Sequence, residues 1–152
     1  MQIKKTPELW VLRVPRRLCI ADIAVNAASC GALIEHQIAA SRLTVAGPWI
    51  LIANNLPQDP ATLFDWACCR PVVKPEKYDG PIELCHLEPT LVAFRLFQGS
   101  LENLFDQGYA PLVAAIQVSP HGFSGESREV YHNWDGNSAG RMRIEIQFGL
   151  SR

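Results

Sequence analysis

The chain has 152 residues, 48% of them hydrophobic and 19% charged, with a formal net charge of −1. That length holds one ordinary domain or two small fused units, and the apolar fraction supplies a real core. The near-neutral balance argues against a dedicated nucleic-acid binder, which needs a basic face, so Lys4-Lys5 and Arg16-Arg17 read as solvated edges. The five cysteines are odd in number, form no C-x-x-C and sit in apolar company, which points to reduced thiols and a reducing compartment. Gln2-Ile3-Lys4-Lys5-Thr6-Pro7 leads into no apolar run, so no signal peptide is expected. The apolar runs, such as 49–53, are too short to span a bilayer, and the expectation is a cytoplasmic protein with no membrane contact.

In chain order, residues 8–14 are rich in Trp, Val and Leu and predict a strand, which Pro15 bends or places at a sheet edge. An extended pattern resumes over 17–25. Asn26, or alternatively Ser29, is a helix N-cap candidate, and the helix runs from 27 to about 43. Leu33, Ile34, Ile38 and Leu43 fit its buried face, with Glu35, His36 and Arg42 outward. Gly47-Pro48 breaks the chain before a wholly apolar strand at 49–53, a turn at 54–60 and a strand at 63–73. The polar, Pro- and Gly-rich stretch 74–81 reads as a linker. Strands then follow at 82–87 and 91–97 about a bend at Pro89. Ser100 is the N-cap candidate of a second helix, with Leu101, Leu104, Phe105, Leu112 and Ile116 on its buried face. Gly108 and Pro111 split or kink it, since proline removes a backbone donor and clashes with the preceding turn. A strand at 127–134, a turn at Asp135-Gly136-Asn137-Ser138 and a strand at 141–150 complete the chain.

The second half repeats the first. Pro15 lies over Pro89 at an offset of 74, and Gly47 over Gly125 at an offset of 78. Each copy reads strand–helix–strand–strand with a bent segment in front. Two copies predict an α+β fold: one antiparallel or mixed sheet carrying two helices on one face. Copy 1 spans about 8–73, the linker 74–81 and copy 2 about 82–152. Each half has roughly 75 residues, too few for a generous core, so fusion into a single domain over 1–152 is expected. At the second offset Glu129, Tyr131 and Glu145 stand where the first copy has Leu51, Ala53 and Ala67. Acids in one copy only point to an asymmetric pocket and disfavour a mechanism that needs paired acids from both halves.

Glu129 and Tyr131 are two apart on a strand and share a face, with Val130 and His132 on the other. A carboxylate and a phenol converging on an apolar cavity can hold a cation by charge, hydrogen bond and ring face. A desolvated Glu129 would also have a raised pKa and could serve as general acid or base. The plainer alternative is a solvated face on which Glu129 pairs with Arg128 or Arg143. Glu145 alternates with Ile144 and Ile146. It couples to Glu129 if it shares that face, and is otherwise a surface acid matched to an arginine. Most aromatics must be core, and Trp66 and Tyr109 are the two named as pocket walls. The four histidines show no H-x-x-x-H or Cys/His spacing, so no metal site is expected. No nucleophile elbow, phosphate loop or dinucleotide fingerprint occurs, and no cofactor is expected.

The string Gly125-Glu126-Ser127-Arg128-Glu129-Val130-Tyr131-His132-Asn133-Trp134, followed by Ile144-Glu145-Ile146-Gln147-Phe148, resembles the C-terminal signature of GyrI-like small-molecule-binding domains. That signature is roughly E-x-Y-x-x-x-P, a turn, then T-E-I-x-x-P. Phe97-Gln98-Gly99-Ser100-Leu101 is similar to the family's G-P-Y at a strand end. With the order of elements, the resemblance covers nearly the whole chain. The chain departs from the pattern at Asp135, at Arg143-Ile144 and at Gly149. Ser100-Leu101 in place of Pro-Tyr loses an aromatic that often lines the pocket. The resemblance implies a cleft between the two copies that binds amphipathic, aromatic or cationic small molecules, for sequestration or sensing. It makes Glu129 the charge partner, Tyr131 a ring wall and Glu145 a second polar anchor. The family holds effector-binding halves of AraC- and MerR-type multidrug regulators, a free-standing DNA gyrase inhibitor and hydrolases of cyclopropane-bearing alkylating natural products. A hydrolase using Glu129 as general base and a protein-interaction module of the gyrase-inhibitor kind are therefore the alternatives. No helix-turn-helix is seen ahead of the domain, so no direct DNA binding is expected.

Overall fold

The computed structural model describes residues 1–133 and 141–151. Trp134 and the turn expected at Asp135-Gly136-Asn137-Ser138 lie outside the described residues. In chain order the elements are β1 (Gln2–Lys5), β2 (Leu9–Leu18), α1 (Ile23–Ala40), β3 (Trp49–Asn54), β4 (Phe64–Val72), β5 (Glu83–Leu87), β6 (Leu91–Gly99), α2 (Ala110–Gln117), β7 (Gly122–Tyr131) and β8 (Met142–Ser151). The eight strands form one sheet in the order β1-β6-β8-β7-β3-β4-β2-β5. All seven pairings are antiparallel. The fold is α+β with duplicated strand–helix–strand–strand units, as the sequence pattern predicts. The copies meet at the centre of the sheet, where β3 pairs β7 and Leu51 faces Glu129.

The leading segment of each copy is exchanged. β1 precedes β2 but pairs with β6, and β5 precedes β6 but pairs with β2. This corrects the first alignment of the repeat. Thr6-Pro7-Glu8 corresponds to Glu88-Pro89-Thr90 at an offset of 82, and β2 then covers β6 residue for residue. Pro15 does not bend β2. β5 covers only residues 9–13 of β2, so Pro15 sits where one side of the strand is open and needs no donor there.

Two consequences follow for the shape of the sheet. Laid flat, β1 and β2 would be six inter-strand steps apart, or about 29 Å. The three-residue link 6–8 spans at most about 14 Å, and so does the link 88–90 that joins β5 to β6. The sheet must therefore curl until its edges approach. Thr6 seals the two links: its amide donates to the Thr90 carbonyl at 2.8 Å, and its hydroxyl accepts from the Thr90 amide at 2.9 Å. The curl explains how the helix-free face buries Val11, Ile50, Ile52, Ala67, Cys69 and Val130 without a covering helix. The opposite face is the outside of the curl, and its two helices pack on separate clusters. One includes Leu12, Ile34, Trp49, Trp66 and Cys68, the other Phe97, Leu112, Ile116, Ile144 and Ile146.

Both helices differ in detail from expectation. A 3-10 turn at Ile20–Asp22 leads directly into α1 at Ile23, so the chain is not extended over 20–25. Asn26 lies inside the first turn, where its side-chain amide donates to the Asp22 carbonyl at 2.9 Å. α1 buries the small residues Ala27, Cys30 and Gly31 together with Ile34 and Gln37, while Leu33 is half exposed. The second helical segment is compound: a 3-10 turn (Leu101–Asn103), a π-helix (Leu104–Tyr109), then α2. The Ser100 side chain makes no capping bond, and Leu101 and Phe105 are exposed rather than buried. Among the described residues no helix is long and apolar enough to cross a membrane.

Candidate functional site

Because the two helices sit apart on the outside of a curled sheet, a cleft of about 1670 Å³ opens between them. The 3-10 turn and α1 form one wall with Ile20, Ile23, Ala27 and Gly31. The π-helix and α2 form the other with Leu104, Phe105, Tyr109 and Val113. The sheet supplies the floor with Trp49, Leu51, Ser127, Glu129, Tyr131 and Phe148. The walls are mainly apolar, as small-molecule pockets usually are.

Glu129 stands on β7 at the join of the two copies. Its Oε1 accepts a hydrogen bond from the Tyr131 hydroxyl at 2.6 Å, and its Oε2 accepts one from the Tyr109 hydroxyl. Glu129 is half-buried and lines the cleft. Burial raises the carboxyl pKa above its ordinary value, and the two phenol hydrogen bonds oppose this without cancelling it. Burial, followed by the charge of Glu129, pushes both phenols well above the ordinary tyrosine value, so they remain donors. Tyr109 packs edge-on against Phe148 with ring centroids 5.8 Å apart, and Phe148 meets Phe123 at 5.6 Å. This stack fixes the ring that holds Oε2.

The structure thus brings Glu129, Tyr131 and Tyr109 together. It does not bring Glu145 or Trp66 into the cleft. Glu129 is opposite Ile146 across the β7–β8 ladder, and Glu145 is opposite Val130, so Glu145 points to the other face of the sheet. There it meets Lys4 Nζ at 2.7 Å and accepts a hydrogen bond from Gln147 Nε2 at 2.6 Å. Its cationic partner is a lysine of the exchanged strand β1, not an arginine. Trp66 shares Glu129's face but is 3% exposed, within the core cluster under α1. It borders only a recess of about 30 Å³ beneath Glu129.

Arg70, Trp49, Glu35 and the exposed Phe105 also line the cleft, a role the sequence pattern does not assign to any of them. Arg70 had a signal: it is the lone charge in the otherwise buried run 66–72 of β4. Phe105 had none, because only the π-helix turns it outward.

No family model and no curated protein matches the chain. Solved structures do. The C-terminal domain of EcmrR is 17% identical, with 99% of this chain and 96% of that chain covered and a TM-score of 0.79. SAV2435, solved bound to tetraphenylphosphonium, is 13% identical over 99% and 93% of the two chains, with a TM-score of 0.62. A hydrolase encoded by lin2189 from Listeria innocua is 11% identical over 99% and 91%, with a TM-score of 0.58. At these identities the likeness is one of fold: the chain shares the fold of the EcmrR C-terminal domain and of SAV2435.

Proposed function

We propose that the protein captures amphipathic aromatic cations in the cleft between its two repeats, serving to sense or sequester them. The observation that carries this reading is the single enclosed carboxylate of Glu129, with each oxygen held by a phenol, on the floor of a large apolar cleft. A lipophilic cation is weakly hydrated, so it gives up little on entering such a site. Once there it supplies the charge that an enclosed carboxylate lacks. The aromatic wall adds ring-face attraction. The tetraphenylphosphonium in SAV2435 supports this ligand class for the fold.

Thermal unfolding in the presence of tetraphenylphosphonium tests the reading. A ligand at 100 times its Kd adds about 2.7 kcal/mol to apparent stability. Glu129→Gln keeps the shape of the site and removes its charge. It is expected to weaken cation binding by roughly 10- to 100-fold, the worth of a charge-assisted contact. A well-folded wild type that gives no shift with this or any related cation would sink the proposal.

A second reading has an observation in its favour. A carboxylate with a raised pKa beside two hydroxyls, sheltered from bulk water, is equipped as a general base, so hydrolysis of a strained apolar electrophile is the alternative. Product analysis with a cyclopropane-bearing alkylator separates the two. Turnover that Glu129→Gln abolishes while binding persists would favour the enzyme.

A further inference from the structure

We infer that the cleft is built for zwitterionic ligands, with the cationic end at Glu129, a planar aromatic body across Tyr131, and an anionic group at Arg70. This rests on the reading of the cleft as a small-molecule site and narrows its ligand class.

The sheet register places the three parts. Trp49 faces Tyr131 across β3–β7, and Ile50 faces Cys69 across β3–β4, which sets Arg70 beside Trp49. Arg70, Trp49 and Tyr131 therefore form one row on the cleft side of the sheet. Glu129 is on the same side, two residues along β7. Two inter-strand steps and two residues of rise separate the Arg70 and Glu129 backbones by about 12 Å. Both residues line the cleft.

The charged residues lining the cleft are Glu35, Arg70, Glu126 and Glu129, so Arg70 is its one cation among the described residues. Glu126 is engaged by Arg128 at 3.1 Å. Arg70 makes no ion pair within 4.0 Å among the described residues, and its Nε is buried without a hydrogen-bond partner. Its guanidinium lies 4.8 Å from the Trp49 ring centroid. Covering an indole requires only an apolar side chain, and such a residue would leave no buried donor unpaired. Burial lowers the Arg70 pKa, and the charge of Glu35 partly opposes this. A ligand carboxylate would satisfy the guanidinium in the bidentate way that arginine favours. A cationic ligand without an anionic group leaves the guanidinium without that partner.

Titration calorimetry with norfloxacin tests this, since it carries an ammonium and a carboxylate at opposite ends of one planar bicycle. Its methyl ester keeps the ammonium and removes the anion. Wild type is expected to bind the zwitterion roughly tenfold more tightly than the ester. Arg70→Gln should remove that preference, with less than a twofold change for the ester, while Glu129→Gln weakens both. Arg70→Lys, which keeps the charge, should retain part of the preference and guards against a folding defect in Arg70→Gln. Equal loss of both ligands in Arg70→Gln would assign Arg70 to support of Trp49 and overturn the inference. A wild type that binds the ester as well as the zwitterion overturns it and leaves cation binding standing. Failure to bind either compound or tetraphenylphosphonium removes the cleft reading itself.

Discussion

Glu129 sits where ionisation is disfavoured by burial and only partly restored by two phenols. The direction of that shift sets a pH dependence. With a pKa raised above 4.5, the folded protein holds its Glu129 proton more tightly than the unfolded chain does. Between 4.5 and the raised value the native state binds more protons, so this group's contribution to stability falls as pH rises through that window and is level above it. Cation binding has the opposite slope, because it requires the carboxylate. Affinity for tetraphenylphosphonium should climb as pH rises through the raised folded pKa, with a proton released on binding, and then level off. Titration calorimetry across about pH 5 to 8 checks this, and Glu129→Gln should flatten both slopes. Wild-type affinity that does not change with pH would mean that Glu129 is ionised throughout or takes no part.

At the scale of elements, the π-helix Leu104–Tyr109 decides the site. A π turn takes an extra residue and commonly marks functional positions. Here it turns Phe105 outward to the cleft and presents the Tyr109 hydroxyl to Glu129. Gly108 permits it: a Cβ there would lie 2.6 Å from Cδ1 of Ile146, which is fully buried and has little room to yield. Pro111 falls in the first turn of α2 directly after the π-helix, and the Gln107 carbonyl four residues back accepts from Arg95 Nε at 3.2 Å in place of the missing N–H. Gly108→Ala should cost about 1–3 kcal/mol by overpacking and weaken cation binding through displacement of Tyr109. Gln107→Ala, at an exposed position of the same turn, is the control, expected within about 0.5 kcal/mol. Urea unfolding with a ligand titration reads both. An alanine variant as stable as wild type would show that the π turn repacks freely.

At the scale of the molecule, the curl of the sheet produces two interiors, and the adjacent Cys68 and Cys69 face one each. Burial pushes the Cys69 thiol up to about 12 and the Cys68 thiol further still. Cys30, Cys68 and Cys69 are buried, while Cys19 and Cys85 are partly exposed, and all five are free. A thiol reagent should label at most two cysteines quickly in the native protein and five after unfolding without reductant. Fewer than five in the unfolded chain would reveal a disulfide that this arrangement does not contain.

The alternation of β7 put Glu129 and Tyr131 on one face from the residues alone, because side chains on a strand repeat every two. The order of elements from β3 onward and the duplication were legible for the same reason, since period and punctuation are local, whereas β1 was not foreseen and β2 was split at Pro15. Tyr109 was named from the break at Gly108, a local signal read in the right place. Other features needed the tertiary structure. Glu145 alternates as cleanly as Glu129, but which face each one takes depends on the β7–β8 register, a relation between distant residues. The exchange of β1 and β5 between copies depends on where the edges of the sheet meet, and the curl that joins them is imposed by two three-residue links. The start of α1 at Ile23 followed from the 3-10 turn before it, which composition does not announce. The sequence by itself determined the class of fold, the asymmetry of the acids and one side of the site. The tertiary structure decided which acid faces the cleft and which groups share it, because register and curvature are set by the pairing of strands far apart in the chain.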